Sequence, residues 1–235
     1  MQRYFCNSNN DIFNLSKEDS YHITKVMRYS IGDKIEIVNN KCLYISEIIE
    51  TNPLVVAKEI EKVDCTDTTL NVTIVQSLVN EQKMDYILQK GTELGVEDFI
   101  PLITTRSVVK VNDKVNKKVE RWNTITKEAS EQSKRLTIPK VNNPYTIKEL
   151  ISLDYDYKIL CSVNEVSKDI KTVLSNVKES DKILVVIGPE GGFTKEEESK
   201  LIEGGFISVS LGNRVLRTET ASLFVLSIIN YIFMR

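Results

Sequence analysis

Hydrophobic positions follow two different periods along this chain, and the change falls near residue 68. Before it, apolar and polar residues alternate in short segments at 34–38, 43–48 and 54–60. Turn residues separate them at Gly32-Asp33, Asn39-Asn40 and Asn52-Pro53. Period-two runs punctuated in this way predict a small β-rich barrel or sandwich. One helical stretch is expected between Ser16 and Ser30, with Ile23, Val26 and Met27 at helical spacing. A polar connector, residues 64–69, reads as a linker.

After the connector, strand-like runs at 70–77, 98–103, 158–163, 182–187 and 206–211 alternate with helical patterns. A helix over 81–94 places Met84, Ile87, Leu88 and Leu94 on one side. A longer one, 116–136, turns Val119, Trp122, Ile125 and Ala129 inward, and a third starts at Thr194, where Thr194 and Glu197 make a capping box. Such alternation predicts a largely parallel sheet covered by helices on both faces. Gly91 interrupts the 81–94 helix at a cost of roughly 1 kcal/mol relative to Ala, either for close approach of another group or as a merely tolerated glycine. Residues 221–234 are apolar on nearly every face. A membrane span needs about 20 apolar residues, so this run predicts burial, in a core or in a dimer interface.

Two glycine-bearing runs stand where strands end and helices begin. The first is Gly188-Pro189-Glu190-Gly191-Gly192-Phe193-Thr194, the second Leu211-Gly212-Asn213-Arg214-Val215-Leu216-Arg217-Thr218-Glu219-Thr220-Ala221. Turns at the carboxyl ends of strands are where an open α/β sheet places its ligand. A phosphate cradle wants bare backbone N–H groups and often a Lys, whereas Glu190 opposes a phosphate and suits a cationic or hydroxyl-bearing ligand. Arg106, just after a strand, is expected at the same edge; with Arg135, Arg214 and Arg217 it offers planar forks for carboxylate, phosphate or base edges.

Net charge is −2, so no global basic field advertises nucleic acid, though a local patch can still serve. In the front region Arg3, His22, Lys25 and Arg28, with Tyr4, Tyr21 and Tyr29 nearby, suit an RNA backbone with stacked bases, or equally an ordinary amphipathic surface. Four cysteines without a C-x-x-C pair and a single histidine indicate neither a disulfide framework nor a metal site. With no apolar core of signal-peptide type at the start, a cytoplasmic, reduced protein is expected. A nucleotide-binding enzyme of Rossmann type would carry G-x-G-x-x-G after the first strand, and residues 78–83 contain no glycine. A non-catalytic RNA-binding protein would be expected to have lost the two glycine-bearing turns, and both are intact.

Five stretches in order resemble the bacterial 16S ribosomal RNA uracil-N3 methyltransferase family of the SPOUT class. They are His22-Ile23-Thr24-Lys25-Val26-Met27-Arg28 with Gly32-Asp33; Lys83-Met84-Asp85 with Gln89-Lys90-Gly91-Thr92-Glu93-Leu94-Gly95-Val96; Thr105-Arg106-Ser107; Glu128-Ala129-Ser130-Glu131-Gln132-Ser133-Lys134-Arg135; and the two terminal runs. The departures are Tyr21 where a second histidine is common, Gly91 where a larger residue is usual, and Val215 where isoleucine is common. The resemblance implies an α/β protein in which a small PUA-like β-barrel, 1–67, binds RNA. A SPOUT domain, 70–235, carries a carboxyl-terminal trefoil knot, an arrangement that rare chain threading would argue against.

It further implies S-adenosyl-L-methionine as cofactor, clasped by Ser162, Asn164, Gly188, Pro189, Glu190, Gly191, Gly192, Leu211, Gly212, Arg214, Val215, Leu216, Thr220 and Ala221. Arg217, Glu219 and Arg106 are the catalytic candidates, with Glu219 as a base or as an anchor of the last helix's amino terminus. Arg3, His22, Lys25, Arg28, Gln132 and Arg135 are the RNA-binding candidates. The implied partners are 16S rRNA within the small ribosomal subunit and a second copy of the chain, with no metal and no membrane.

Overall fold

The computed structural model describes residues 1–8, 10–65, 71–107 and 115–233. Most of the expected connector, the first residue of the expected strand 70–77, and Met234 lie outside them. The chain divides into two compact units, Met1–Thr68 with Ser130–Thr137, and Thr69–Ala129 with Ile138–Arg235.

The first unit is built on a five-stranded sheet in the order β1-β3-β4-β5-β2. The strands are β1 (Arg3–Phe5), β2 (Ile12–Asn14), β3 (Lys34–Asn39), β4 (Cys42–Glu50) and β5 (Val56–Val63). Alternation explains the three long ones: Ile35 and Ile37 of β3, Ile48 of β4 and Ala57 of β5 point to one core with Tyr4, Phe13, Leu15 and Ile23. Helix α1 (Lys17–Tyr21) is capped by Ser16, whose hydroxyl accepts the Asp19 N–H. It continues into a single π-helical turn, His22–Val26. Of Ile23, Val26 and Met27 only Ile23 is buried, and Val26 is exposed, because the wider π turn rotates Val26 off the inner face.

The second unit holds a six-stranded parallel sheet, β11-β9-β10-β6-β7-β8. Its strands are β6 (Val72–Ser77), β7 (Asp98–Leu102), β8 (Lys140–Val141), β9 (Tyr157–Cys161), β10 (Ile183–Ile187) and β11 (Ile207–Val209). Central β10 is buried on both faces: Ile183, Val185 and Ile187 enter one apolar layer, Leu184 and Val186 the other. The helices are α2 (Glu81–Glu93), α3 (Val115–Gln132, whose residues from Ser130 on count with the first unit), α4 (Ile147–Ile151), α5 (Ile170–Leu174), α6 (Lys195–Glu203) and α7 (Thr218–Phe233).

Helix α3 ends four residues before the expected Leu136. Lys134 takes a left-handed φ of 62° and the Arg135 N–H returns to the Ser130 carbonyl, which closes the helix in a Schellman-type turn. Gly91 serves close approach: a Cβ there would lie 2.8 Å from Cζ of Phe99 and 3.4 Å from Cδ1 of Leu226. Helix α2 thereby seats directly on β7 and α7. Among the described residues no helix is long and apolar enough to cross a membrane.

Candidate active site

Strands β9, β10 and β11 are parallel neighbours, so their carboxyl ends share one edge of the sheet. The segments leaving that edge enclose a cavity of about 830 Å³, within the range of small-molecule sites. Its walls include residues 161–166 after β9, 187–193 after β10 and 210–218 after β11, closed by Lys83, Arg106, Glu198 and Ala221. Ser162, Asn164, Gly188, Pro189, Glu190, Gly191, Gly192, Leu211, Gly212, Arg214, Val215, Leu216 and Ala221 are thus brought together, and with them Arg106 and Arg217.

Each wall is held by bonds the chain supplies itself. Gly192 adopts φ 67° and its N–H returns to the Pro189 carbonyl, which closes the first turn. The Arg106 guanidinium grips that turn, its Nη1 donating to the carbonyls of Gly191 at 2.7 Å and Phe193 at 3.3 Å. Arg106 is itself set by Glu197: one carboxylate oxygen accepts the N–H and hydroxyl of Thr105, the other the Thr194 N–H of the capping box. The expected cap of α6 therefore does double duty.

The wall after β9 is fixed by Glu198, whose two oxygens accept from the Ser162 hydroxyl at 2.7 Å and the Asn164 amide at 3.0 Å. At the floor, the Thr218 hydroxyl donates to the Gly188 carbonyl at 2.7 Å and accepts from Nε2 of Gln76 at 2.9 Å. Gln76, fully buried in β6, also accepts from the Ser222 hydroxyl. One buried amide on the central sheet thus ties the first turn to the start of α7. Cys161 sits at the cavity floor with its thiol pushed up to about 12 by burial, which keeps it protonated and inert.

Other parts of the cavity remain open to a ligand. Among the described residues, the main chain of residues 213–216 makes no hydrogen bond within the chain, and the exposed Arg217 guanidinium has neither a hydrogen-bond nor an ion-pair partner. Unspent backbone groups on glycine-bearing turns, in a roomy pocket, fit a ligand with both polar and apolar parts.

Three expectations are corrected. Thr220 is exposed and absent from the cavity wall. Helical rotation turns Thr218, Ala221 and Ser222 inward and Thr220 away. Arg3 is only 6% exposed, and its guanidinium is spent on Glu36 at 2.8 Å and on the carbonyls of Lys134 and Arg135. Arg135 is likewise buried and bonds the carbonyl and hydroxyl of Thr137. Both arginines brace the first unit internally. Lys25, Arg28 and Gln132 are exposed, and half-buried His22 meets the buried Tyr4 hydroxyl through Nδ1 at 2.9 Å.

Sequence reading missed Lys83, Glu198, Thr218 and Gln76. Lys83 lies 2.9 Å from Glu190 and 3.7 Å from Glu219, and its ammonium is held above its ordinary pKa chiefly by the Glu190 hydrogen bond, against a desolvation cost. Glu190 therefore has a cation from its own chain. The only sequence signal for Lys83 was its place in one of the five matching stretches.

A parallel sheet with such a cavity at its carboxyl edge is the architecture of an open α/β domain that binds a ligand where its strands end. An RNA methyltransferase domain model matches residues 66–230, and an RNA methyltransferase PUA domain model matches residues 15–59. The chain is 35% identical to the ribosomal RNA small subunit methyltransferase E of Bacillus subtilis, over 98% of this chain and 96% of that protein. It is 33% identical to the same-named protein of Aquifex aeolicus, over 87% and 88%.

The crystal structure of ribosomal RNA small subunit methyltransferase E from Neisseria gonorrhoeae, bound to S-adenosyl methionine, superposes with a TM-score of 0.87 at 30% identity, covering 99% and 98% of the two chains. A putative methyltransferase from Legionella pneumophila with bound SAM gives 0.91 at 27% identity, with the same coverage. The chain belongs to the ribosomal RNA small subunit methyltransferase E family. The expected PUA-like β unit and SPOUT-type α/β domain are borne out.

Proposed function

We propose that this protein transfers the methyl group of S-adenosyl-L-methionine to N3 of a uridine in 16S rRNA of the small ribosomal subunit. The observation that carries the reading is the cavity at the ends of β9, β10 and β11, with its glycine-bearing turns and, among the described residues, unspent main chain and an unpartnered Arg217. The two relatives with bound SAM, and the ribosomal substrate in the relatives' names, support it.

When bound, the cofactor supplies a methyl on a sulfonium, already activated for attack. The chain's task is then alignment. The turns at 188–192 and 211–216, with Ser162 and Asn164 of the third wall, would hold it by main-chain and amide contacts. Uracil N3 is a poor nucleophile until its proton passes to water; the charge then spreads onto O2 and O4, and attack on the methyl carbon breaks its bond to sulfur and releases S-adenosyl-L-homocysteine. An arginine fork beside those oxygens stabilises it, a role that falls to Arg217. Arg106 is committed to the Gly191 turn and acts by shaping it. Glu219 anchors the start of α7, where a carboxylate is favoured. The target base must leave its stack to enter.

Lys25, Arg28, His22 and Gln132 are assigned to flanking RNA, and the first unit to RNA binding generally. A trefoil knot formed by the chain's last segments, which the Thr218–Gly188 bond would pin, belongs to the same reading. So does a homodimer covering the exposed Phe224, Tyr231 and Ile232 of α7. The reading is tested by following labelled methyl from S-adenosyl-L-methionine into small-subunit RNA with the wild type and with Arg217→Ala. Transfer should fall at least a hundredfold in the variant while cofactor affinity changes little, as for loss of one charge-stabilising donor. Equal loss of affinity and transfer would assign Arg217 to binding instead.

A further inference from the structure

One cation in the second unit serves two acids on different segments. Lys83 projects from the first turn of α2. Its ammonium bonds Glu190 in the turn after β10 at 2.9 Å and faces Glu219 in the first turn of α7 at 3.7 Å. Oε2 of Glu219 is buried and, among the described residues, accepts no hydrogen bond. Lys83 is the cation that faces this oxygen, with Arg217 adding to the local field. A surface ion pair contributes little to stability, so burying a carboxylate oxygen without a hydrogen bond beside a shared lysine is poorly explained as a fold-stabilising device. Such compromises gather at functional sites.

We infer that Lys83 is a positioning residue for the transfer reaction: it clasps the turn bearing Gly188–Gly192 to the first turn of α7, and so sets the distance between the two walls that take the cofactor. The inference deepens the methyltransferase reading and rests on it for its consequence. The clasp itself is a property of the free protein. Among the described residues neither carboxylate bonds the other's segment, and the other hydrogen bond between these walls, from Thr218 to the Gly188 carbonyl, lies deeper in the cavity.

Three measurements on the full-length protein test it, with Lys83→Met, Lys83→Arg and Glu190→Gln. The first needs no cofactor: exchange of the Gly192 amide, which the turn protects through its bond to the Pro189 carbonyl. It should quicken at least fivefold in Lys83→Met and in Glu190→Gln. The second is the S-adenosyl-L-methionine dissociation constant by calorimetry, which should rise roughly tenfold in Lys83→Met, as for loss of a charge-assisted contact. The third is melting temperature, which should hold within about 2 °C in Glu190→Gln, whose carboxylate is exposed and whose loss leaves Lys83 facing Glu219. Lys83→Arg should restore exchange and affinity to within about threefold of wild type, because a guanidinium can span both acids.

Unchanged exchange in Lys83→Met and Glu190→Gln would overturn the clasp, and so would an arginine that rescues nothing. Quickened exchange with unchanged affinity would overturn its positioning role. Should the wild type bind no S-adenosyl-L-methionine, the functional reading fails, and the exchange data still decide whether the clasp exists.

Discussion

Thr218→Val probes the tie between the cavity and the sheet. Valine keeps the shape of threonine and removes the hydroxyl, so packing changes little and two hydrogen bonds vanish: donation to the Gly188 carbonyl at 2.7 Å and acceptance from Gln76 at 2.9 Å. Gln76 is fully buried; its oxygen keeps the Ser222 hydroxyl and its amide nitrogen keeps the Ser77 carbonyl, so one buried N–H is orphaned at a cost of about 1–3 kcal/mol. The Gly188 carbonyl is half-buried and can recover water, adding about 1 kcal/mol or less. The sum, roughly 1–4 kcal/mol, belongs to the second unit.

That unit contains Trp122, the single tryptophan, which is buried in its larger apolar layer. Urea unfolding followed by Trp122 fluorescence therefore reads this unit directly. The midpoint should fall with little change in slope, and the melting temperature should drop by roughly 8 °C, taking about 2–4 °C per kcal/mol. Because the freed Gly188 carbonyl lines the cavity, cofactor affinity should weaken as well. Thr218→Ser, which keeps the hydroxyl, should recover most of both. A loss below about 0.5 kcal/mol in Thr218→Val would show that the Gln76–Thr218–Gly188 chain is not a structural tie.

Two further outcomes are expected. Gly91→Ala gains about 1 kcal/mol of helix propensity but drives a Cβ to 2.8 Å from the Phe99 ring, and overpacking costs typically 1–3 kcal/mol. Trp122-detected stability should fall by about 1 kcal/mol, and a rise would show that the ring yields freely. In the first unit, burial pushes the Glu36 carboxyl up, but hydrogen bonds from Lys134 and Arg3 outweigh it and hold its pKa below the ordinary 4.5. A carboxylate depressed on folding stabilises above its unfolded pKa and loses that contribution as pH falls through the folded value. The first unit should therefore weaken below about pH 4.5, and Glu36→Gln should flatten that acid slope in circular dichroism melts.

What could be read in the sequence was what leaves a local pattern. Strands β6, β7, β9, β10 and β11 and the capping box at Thr194 and Glu197 declare themselves by period and cap residues, and the turns after β10 and β11 by their glycines. Strands β1 and β2, three residues each, and β8, with two, are too short to carry a period, whereas three-residue β11 is legible through the longer alternating run 206–211 around it. Helices α4 and α5, five residues each, are set by caps at Thr146 and Asp169 and by packing.

Pairings across long separations leave no trace at all. The employment of Arg3 on Lys134 and Arg135 spans more than 130 positions, and that of Gln76 on Thr218 spans 142. An arginine near aromatic residues looks the same in sequence whether it meets RNA or a buried carbonyl. Glu190 illustrates the same blindness, since its counter-ion lies 107 residues away in Lys83.

The central claim is the atom that receives the methyl group. Small ribosomal subunits from a strain lacking this protein should be incubated with the enzyme and labelled S-adenosyl-L-methionine, and the RNA digested to nucleosides for mass spectrometry. The account predicts a single new labelled nucleoside, N3-methyluridine. Label on any other nucleoside, or none on small-subunit RNA while the cofactor binds, would contradict it.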